Sequence, residues 1–177
     1  MQMDRSLANE YGMRFGTVRN IIPDINFGGC GFFALEAFDL LSSHGFSPKI
    51  IYLSSDSEDI NLYDLIIEEF NNLIFNKKKP EDIIVPNHCC IKVGKYYFDA
   101  GNMAEEKDEE FPFSPITLAR EWYPIGEVSR DQLKRALRFR SYWNSYYIRN
   151  YNNKILKRVM KNIHKDMAII IKENKNV

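Results

Sequence analysis

The most restrictive stretch of the sequence runs from His88 to Ala100. Two apolar runs, His88-Cys89-Cys90-Ile91-Lys92-Val93 and Tyr96-Tyr97-Phe98-Asp99-Ala100, flank Gly94-Lys95. A two-residue connection with glycine in its first central position is the mark of a tight β-hairpin. Once the turn is fixed there, the register follows by counting. Val93 lies opposite Tyr96, Ile91 opposite Phe98 and Cys90 opposite Asp99, and His88 faces Gly101, diagonal to Asp99. Side chains alternate between faces, so His88, Cys90, Tyr97 and Asp99 share one face. Cys89, Ile91 and Val93 turn to the other, the expected core side. Diagonal neighbours sit about 7 Å apart between α-carbons, a gap that an imidazole and a carboxylate can bridge. The hairpin therefore predicts a His88–Asp99 pair.

The rest of the chain is read around this ribbon. Residues 1–26 read as an irregular or short helical lead-in with a turn at Pro23-Asp24. From Cys30 to Ser43 the apolar positions Phe33, Ala34, Ala37, Phe38, Leu40 and Leu41 recur at helical spacing, and His44-Gly45 ends the run. Pro48 to Leu53 reads as a strand, Asn61 to Phe75 as a helix, and Lys77-Lys78-Lys79-Pro80 as a solvated loop. The acidic segment 101–115, with Pro112 and Pro115, reads as a surface loop. Residues 129–177 read as two helices divided near Asn150-Asn153. Helix, then strands, then helices gives an α+β fold. At 177 residues and 45% apolar, the chain is large enough for one domain with a real core. The expected division is a body over 1–128 and a basic helical extension over 129–177, packed on the body or projecting from it.

Charge is divided unevenly between those parts. Residues 129–177 carry 13 Lys and Arg against Asp131, Asp166 and Glu173, and 1–128 carries the compensating acidic excess. Basic helices packed against an acidic body would account for this. So would binding of nucleic acid through 129–177, where Arg and Lys interleave with Trp143, Tyr146, Tyr147 and Tyr151, or docking of that segment on an acidic protein or membrane surface. Charged residues throughout 1–20 argue against a signal peptide, and no apolar run approaches the roughly 18 residues of a spanning helix. Three cysteines, an odd number with two adjacent, fit a reducing compartment. The expected location is the cytoplasm.

Cys30 is the candidate nucleophile. In Asn26-Phe27-Gly28-Gly29-Cys30-Gly31-Phe32-Phe33-Ala34 a cysteine stands on the first turn of an apolar helix, framed by glycines. Unpaired N–H groups and the positive dipole end at such a position favour a thiolate. Gly29 and Gly31 remove side chains, so a substrate carbonyl can approach the backbone. The same N–H groups can hold the oxyanion that forms on attack. A small core cysteine at a helix start explains the same residues equally well.

A nucleophile needs a base, and the chain has three histidines. His44 reads as a helix C-cap and His164 as a surface residue of the basic helices. That leaves His88, oriented by Asp99. Cysteine, histidine and carboxylate then supply the three roles of nucleophilic catalysis. Cys90 and Tyr97, on the same face as His88, are expected to line the substrate side. A metal site of Cys30, His88, Cys89 and Cys90 is disfavoured, because adjacent strand residues point to opposite faces and the chain has no C-x-x-C pair. No metal or other cofactor is expected.

Gly29-Cys30-Gly31-Phe32-Phe33-Ala34, with Leu40-Leu41, Gly45 and Pro48-Lys49-Ile50-Ile51-Tyr52, resembles the nucleophile helix and following strand of transglutaminase-like cysteine enzymes. The segment His88 to Asp99 is similar to their His-strand, turn and Asp-strand. The order Cys, His, Asp also resembles the wider papain-like superfamily, including peptidoglycan-directed cell-wall peptidases. The likeness covers about 26–53 and 86–102. It implies a papain-like or transglutaminase-like core in which a nucleophile helix packs on a small antiparallel sheet. It further implies Cys30 as nucleophile, His88 as base and then acid, and Asp99 as the residue orienting His88. Asn26 would serve the oxyanion, although it lies closer to Cys30 than the papain pattern has it. Gly31-Phe32 replaces the aromatic that follows the papain nucleophile, so a papain-type peptidase proper is not implied.

The expected function is a cysteine-dependent hydrolase or acyl transferase acting on an amide, isopeptide or ester carbonyl of a protein or peptide-like substrate. The alternative is a non-catalytic binding module on the same fold, with the basic helices as its working surface.

Overall fold

The structure is a computed structural model that describes residues 1–23, 25–26, 29–54, 88–101, 103–106, 123–137 and 153–174. The helix expected over Asn61–Phe75 and the loop at Lys77–Pro80 lie outside the described residues. Five strands form one antiparallel sheet: β1 (Lys49–Ser54), β2 (His88–Val93), β3 (Tyr96–Phe98), β4 (Met103–Glu105) and β5 (Tyr123–Val128). Their spatial order is β4-β3-β2-β1-β5. Helices α1 (Arg5–Ile21), α2 (Cys30–Ser43), α3 (Arg130–Ala136) and α4 (Asn153–Asn174) complete the described fold, which is α+β.

The hairpin register matches the counting argument: Ile91 pairs with Phe98, Lys92 with Tyr97 and Val93 with Tyr96. Gly94 takes φ +59°, a left-handed conformation that costs glycine nothing. Alternation then sorts the sheet. Ile50, Tyr52, Cys89, Ile91, Val93, Tyr96 and Phe98 belong to the main core, while Ile51, Leu53, Cys90 and Tyr97 form a small cluster on the opposite face.

The lead-in is more ordered than expected. Asp4 caps α1 by accepting from the Leu7 backbone N–H at 2.8 Å, and Leu7, Ala8, Tyr11, Phe15 and Val18 recur along one buried face. Phe15 meets Phe33 and Phe98 edge to face, with ring centres 5.3 and 5.9 Å apart. At Gly16 the helix closes on the loop after β3: a β-carbon there would sit 3.2 Å from the Gly101 carbonyl oxygen. The segment expected as an acidic surface loop also supplies structure, because Met103–Glu105 pairs with β3 as an edge strand.

Both described helices of the C-terminal segment contribute to the same core. Ser129 and Gln132 cap α3 reciprocally: the Ser129 N–H donates to Gln132 Oε1 at 2.8 Å, and the Gln132 N–H to Ser129 Oγ at 3.2 Å. Leu133 and Leu137 follow into the core. Helix α4 buries Leu156, Val159, Met160, Ile163 and Met167 and packs on α1 and α2. Part of the charge asymmetry is neutralised where Arg130 grips Asp39 through two nitrogens, at 2.5 and 2.6 Å. Arg14 reaches Asp166 at 2.9 Å, a pair of the opposite sense that ties α1 to α4. Among the described residues, no helix is long and apolar enough to cross a membrane.

Candidate active site

Helix α2 begins at Cys30, with Gly29 as its N-cap. Gly29 has φ −103°, an ordinary value, so nothing about its backbone conformation demands glycine. No side chain caps this end, and the first hydrogen bond of the helix runs from the Phe33 N–H to the Gly29 carbonyl. The N–H groups of Cys30 and Gly31 thus lie ahead of the first intrahelical bond. Beyond α2 the chain turns at Gly45, φ +84°, into β1. Strand β1 pairs with β2 so that Leu53 lies opposite His88 and Tyr52 opposite Cys89. Helix α2 packs on β2, which brings its sulfur to the strand's first residue.

Cys30, His88 and Asp99 meet there. His88 Nε2 lies 3.0 Å from Asp99 Oδ2, and the Cys30 sulfur is a second hydrogen-bond partner of the ring. Because Nε2 is taken by Asp99, the ring's other nitrogen is the one left for the thiol. Asp99 is itself anchored, with Oδ1 accepting from the Gly101 N–H at 2.5 Å. All three side chains are buried: Cys30 is 2% exposed, His88 3% and Asp99 0%.

Opposing forces act on the His88 ring. Burial alone would lower its proton affinity, but hydrogen bonds to Asp99 and Cys30 and the electrostatic pull of both outweigh it and push the pKa up to about 10, which favours the imidazolium. Cys89 and Cys90 behave differently. Burial pushes both thiols well up, with Cys30 and Cys90 adding to the effect at Cys89, and Asp99 and Cys30 adding to it at Cys90.

The remaining expected residues are dispersed. Asn26 lies in the turn before α2; both its side-chain polar atoms are shielded from solvent and have no hydrogen-bond partner among the described residues. Cys90 lies in the opposite-face cluster with Tyr97. The Tyr97 hydroxyl donates to Glu106 Oε1 at 3.2 Å, and Lys92 meets the same carboxylate at 2.9 Å. That group borders an open cleft of about 390 Å³, also lined by Lys49, Ile51 and Glu127. The cleft lies on the face of the sheet that carries Ile51 and Tyr97, whereas Cys30 belongs to the main core.

His44 and His164 do more than a cap and a surface residue would. They stack with ring centres 4.4 Å apart, and the Tyr11 hydroxyl lies 2.6 Å from His44 Nδ1. Burial first, then the neighbouring His164, lowers the His44 pKa. One residue near the sulfur was not singled out from the sequence. Tyr52 projects from β1 into the core beside Cys89 and Cys30, and burial together with those two thiols raises its pKa. Its position depends on the β1–β2 register, which no local pattern carries.

Among the described residues, no three His, Cys, Asp or Glu side chains gather as a metal-binding group. No family model, curated protein or solved structure matches the chain.

Proposed function

We propose that the protein is a cysteine-dependent hydrolase or acyl transferase with a papain-like or transglutaminase-like core. The observation that carries this reading is the buried relay of Cys30 sulfur, His88 ring and Asp99 carboxylate. The substrate supplies an amide, isopeptide or ester carbonyl. The Cys30 sulfur attacks its carbon, forming the C–S bond and a tetrahedral oxyanion. The Cys30 and Gly31 N–H groups face the developing charge, and the Asn26 amide, four residues upstream and without a hydrogen-bond partner among the described residues, supplies a third donor. The His88 imidazolium gives its proton to the leaving amine or alcohol as the carbonyl–heteroatom bond breaks, leaving a thioester on Cys30. The neutral ring then takes a proton from water or an acceptor amine, which attacks the thioester; the C–S bond breaks and releases the thiolate beside the regenerated imidazolium. Asp99 keeps the ring oriented and balances its charge throughout.

The test is site-resolved labelling. Limiting iodoacetamide at pH 7, with mass mapping of all three cysteines, should modify Cys30 at least ten times faster than Cys89 or Cys90. Cys30→Ala should remove p-nitrophenyl ester cleavage while leaving the urea midpoint nearly unchanged. Equal labelling of the three thiols, or full ester cleavage by Cys30→Ala, refutes the assignment.

A further inference from the structure

Helix α4 has a second face that the core does not use. Its buried residues Leu156, Val159, Met160, Ile163 and Met167 lie on one side. At 100° per residue, Lys154, Arg158, Lys161, Lys165 and Lys172 line up on the opposite side, and all are exposed. From Arg158 to Lys172 the stripe extends about 21 Å along the helix axis.

Four of them, Arg158, Lys161, Lys165 and Lys172, stand without a carboxylate partner among the described residues. Several other basic side chains do have one: Lys49 with Glu127, Lys92 with Glu106, Lys95 with Glu105, Arg130 with Asp39 and Arg14 with Asp166. Of the two acids on the same helix, Asp166 is turned to Arg14, and Glu173 follows Lys172 at the C-terminal end. The helix thus holds a row of like charges in line, at a cost in mutual repulsion that an external anion would relieve.

We infer that this ridge binds the phosphate backbone of nucleic acid, without reading its sequence. The ridge is linear and spaced at intervals of about 5–10 Å, so it can follow a repeating anion. An anionic membrane fits less well, because an amphipathic helix holds to lipid by inserting its apolar face, and that face of α4 is already buried against α1 and α2. An acidic protein also fits less well, because the stripe carries no aromatic anchor of the kind that dominates protein interfaces. This inference is independent of the chemistry at Cys30.

The experiment is fluorescence anisotropy of a labelled 20-base-pair duplex titrated with the full chain between 50 and 200 mM NaCl. Four phosphate contacts give a log–log salt slope of about −3.6, a loss of about 150-fold over that range. Replacing Arg158, Lys161 and Lys165 together with Gln should reduce the slope to about −0.9. Neutralising Arg5, Arg19 and Lys134, exposed cations off the ridge, should leave it within about one unit of the parent. Far-UV circular dichroism checks that both variants are folded. No saturable binding at 50 mM NaCl, or equal losses in the two variants, overturns the inference. Ridge-dependent binding to phosphatidylserine vesicles without duplex binding overturns it in favour of a lipid surface.

Discussion

Asp99→Asn isolates the electrostatic part of the triad, because the shape is kept and only the negative charge is lost. In the parent, the Asp99 carboxylate accepts from the His88 ring at 3.0 Å and from the Gly101 N–H at 2.5 Å, with both side chains out of solvent. An asparagine oxygen can still accept from Gly101. The imidazolium loses its counter-charge, and burial, the largest single influence on the ring, is then opposed by Cys30 alone. In the parent the His88 pKa is raised above the ordinary 6.5, so its stabilising contribution is complete below that value. The contribution is lost as pH rises toward about 10. In the variant the folded-state value falls, and the stability that the raised value supplies at low pH falls with it. The deficit of Asp99→Asn is therefore greatest near pH 5.5, at about 3–5 kcal/mol for one member of a buried pair removed. Above pH 6.5 it shrinks by no more than about 1.4 kcal/mol per pH unit, the limit for one proton. Urea unfolding of both proteins from pH 5 to 9.5 measures this, and subtracting the curves cancels groups common to both. A pH-independent difference would show that His88 is neutral in the fold and refute the reasoning.

Phe15→Ala should cost about 3–5 kcal/mol in urea unfolding, since the ring is fully buried and packs edge-on against Phe33 and Phe98. Gly94→Ala should cost about 1–2 kcal/mol, because its β-carbon would meet nothing within 4 Å and only the left-handed backbone is penalised. Arg130→Ala, despite its two-point grip on half-exposed Asp39, should lose less than about 1 kcal/mol of pair energy in a double-mutant cycle with Asp39→Ala.

What the sequence discloses and what it hides divide along the range of the interactions involved. The β2–β3 register could be counted because a two-residue turn fixes it, and alternation then separated Cys89 from Cys90. The start of α2 at Cys30 could be read because glycines precede an apolar helical repeat. Helix α1 was underread although its signals are local: Asp4 ahead of Leu7, then Tyr11, Phe15 and Val18 at helical intervals. Strands β4 and β5 were missed for a different reason. Met103-Ala104-Glu105 is too short and too acidic to stand out, and it becomes a strand only through pairing with β3. Strand β5 carries Pro124 and Gly126 and shifts register against β1 between Tyr52 and Leu53. The order β4-β3-β2-β1-β5 depends on β1 fitting between two later strands, a long-range pairing with no local signature.

The same distinction bears on which of the three sulfurs would react in the proposed chemistry. By composition Cys30, Cys89 and Cys90 are equivalent, and each is buried in the fold. Burial holds a thiol protonated unless a positive group stands beside it, and it acts that way on Cys89 and Cys90. Both lie on a strand beside the histidine that bears the charge, yet the imidazole is turned to Asp99 on one side and to Cys30 on the other. Selectivity then resides in the direction of one ring, which the carboxylate sets. Turning that ring away from Cys30 should bring the three thiols to similar reactivity, even though no sulfur has moved.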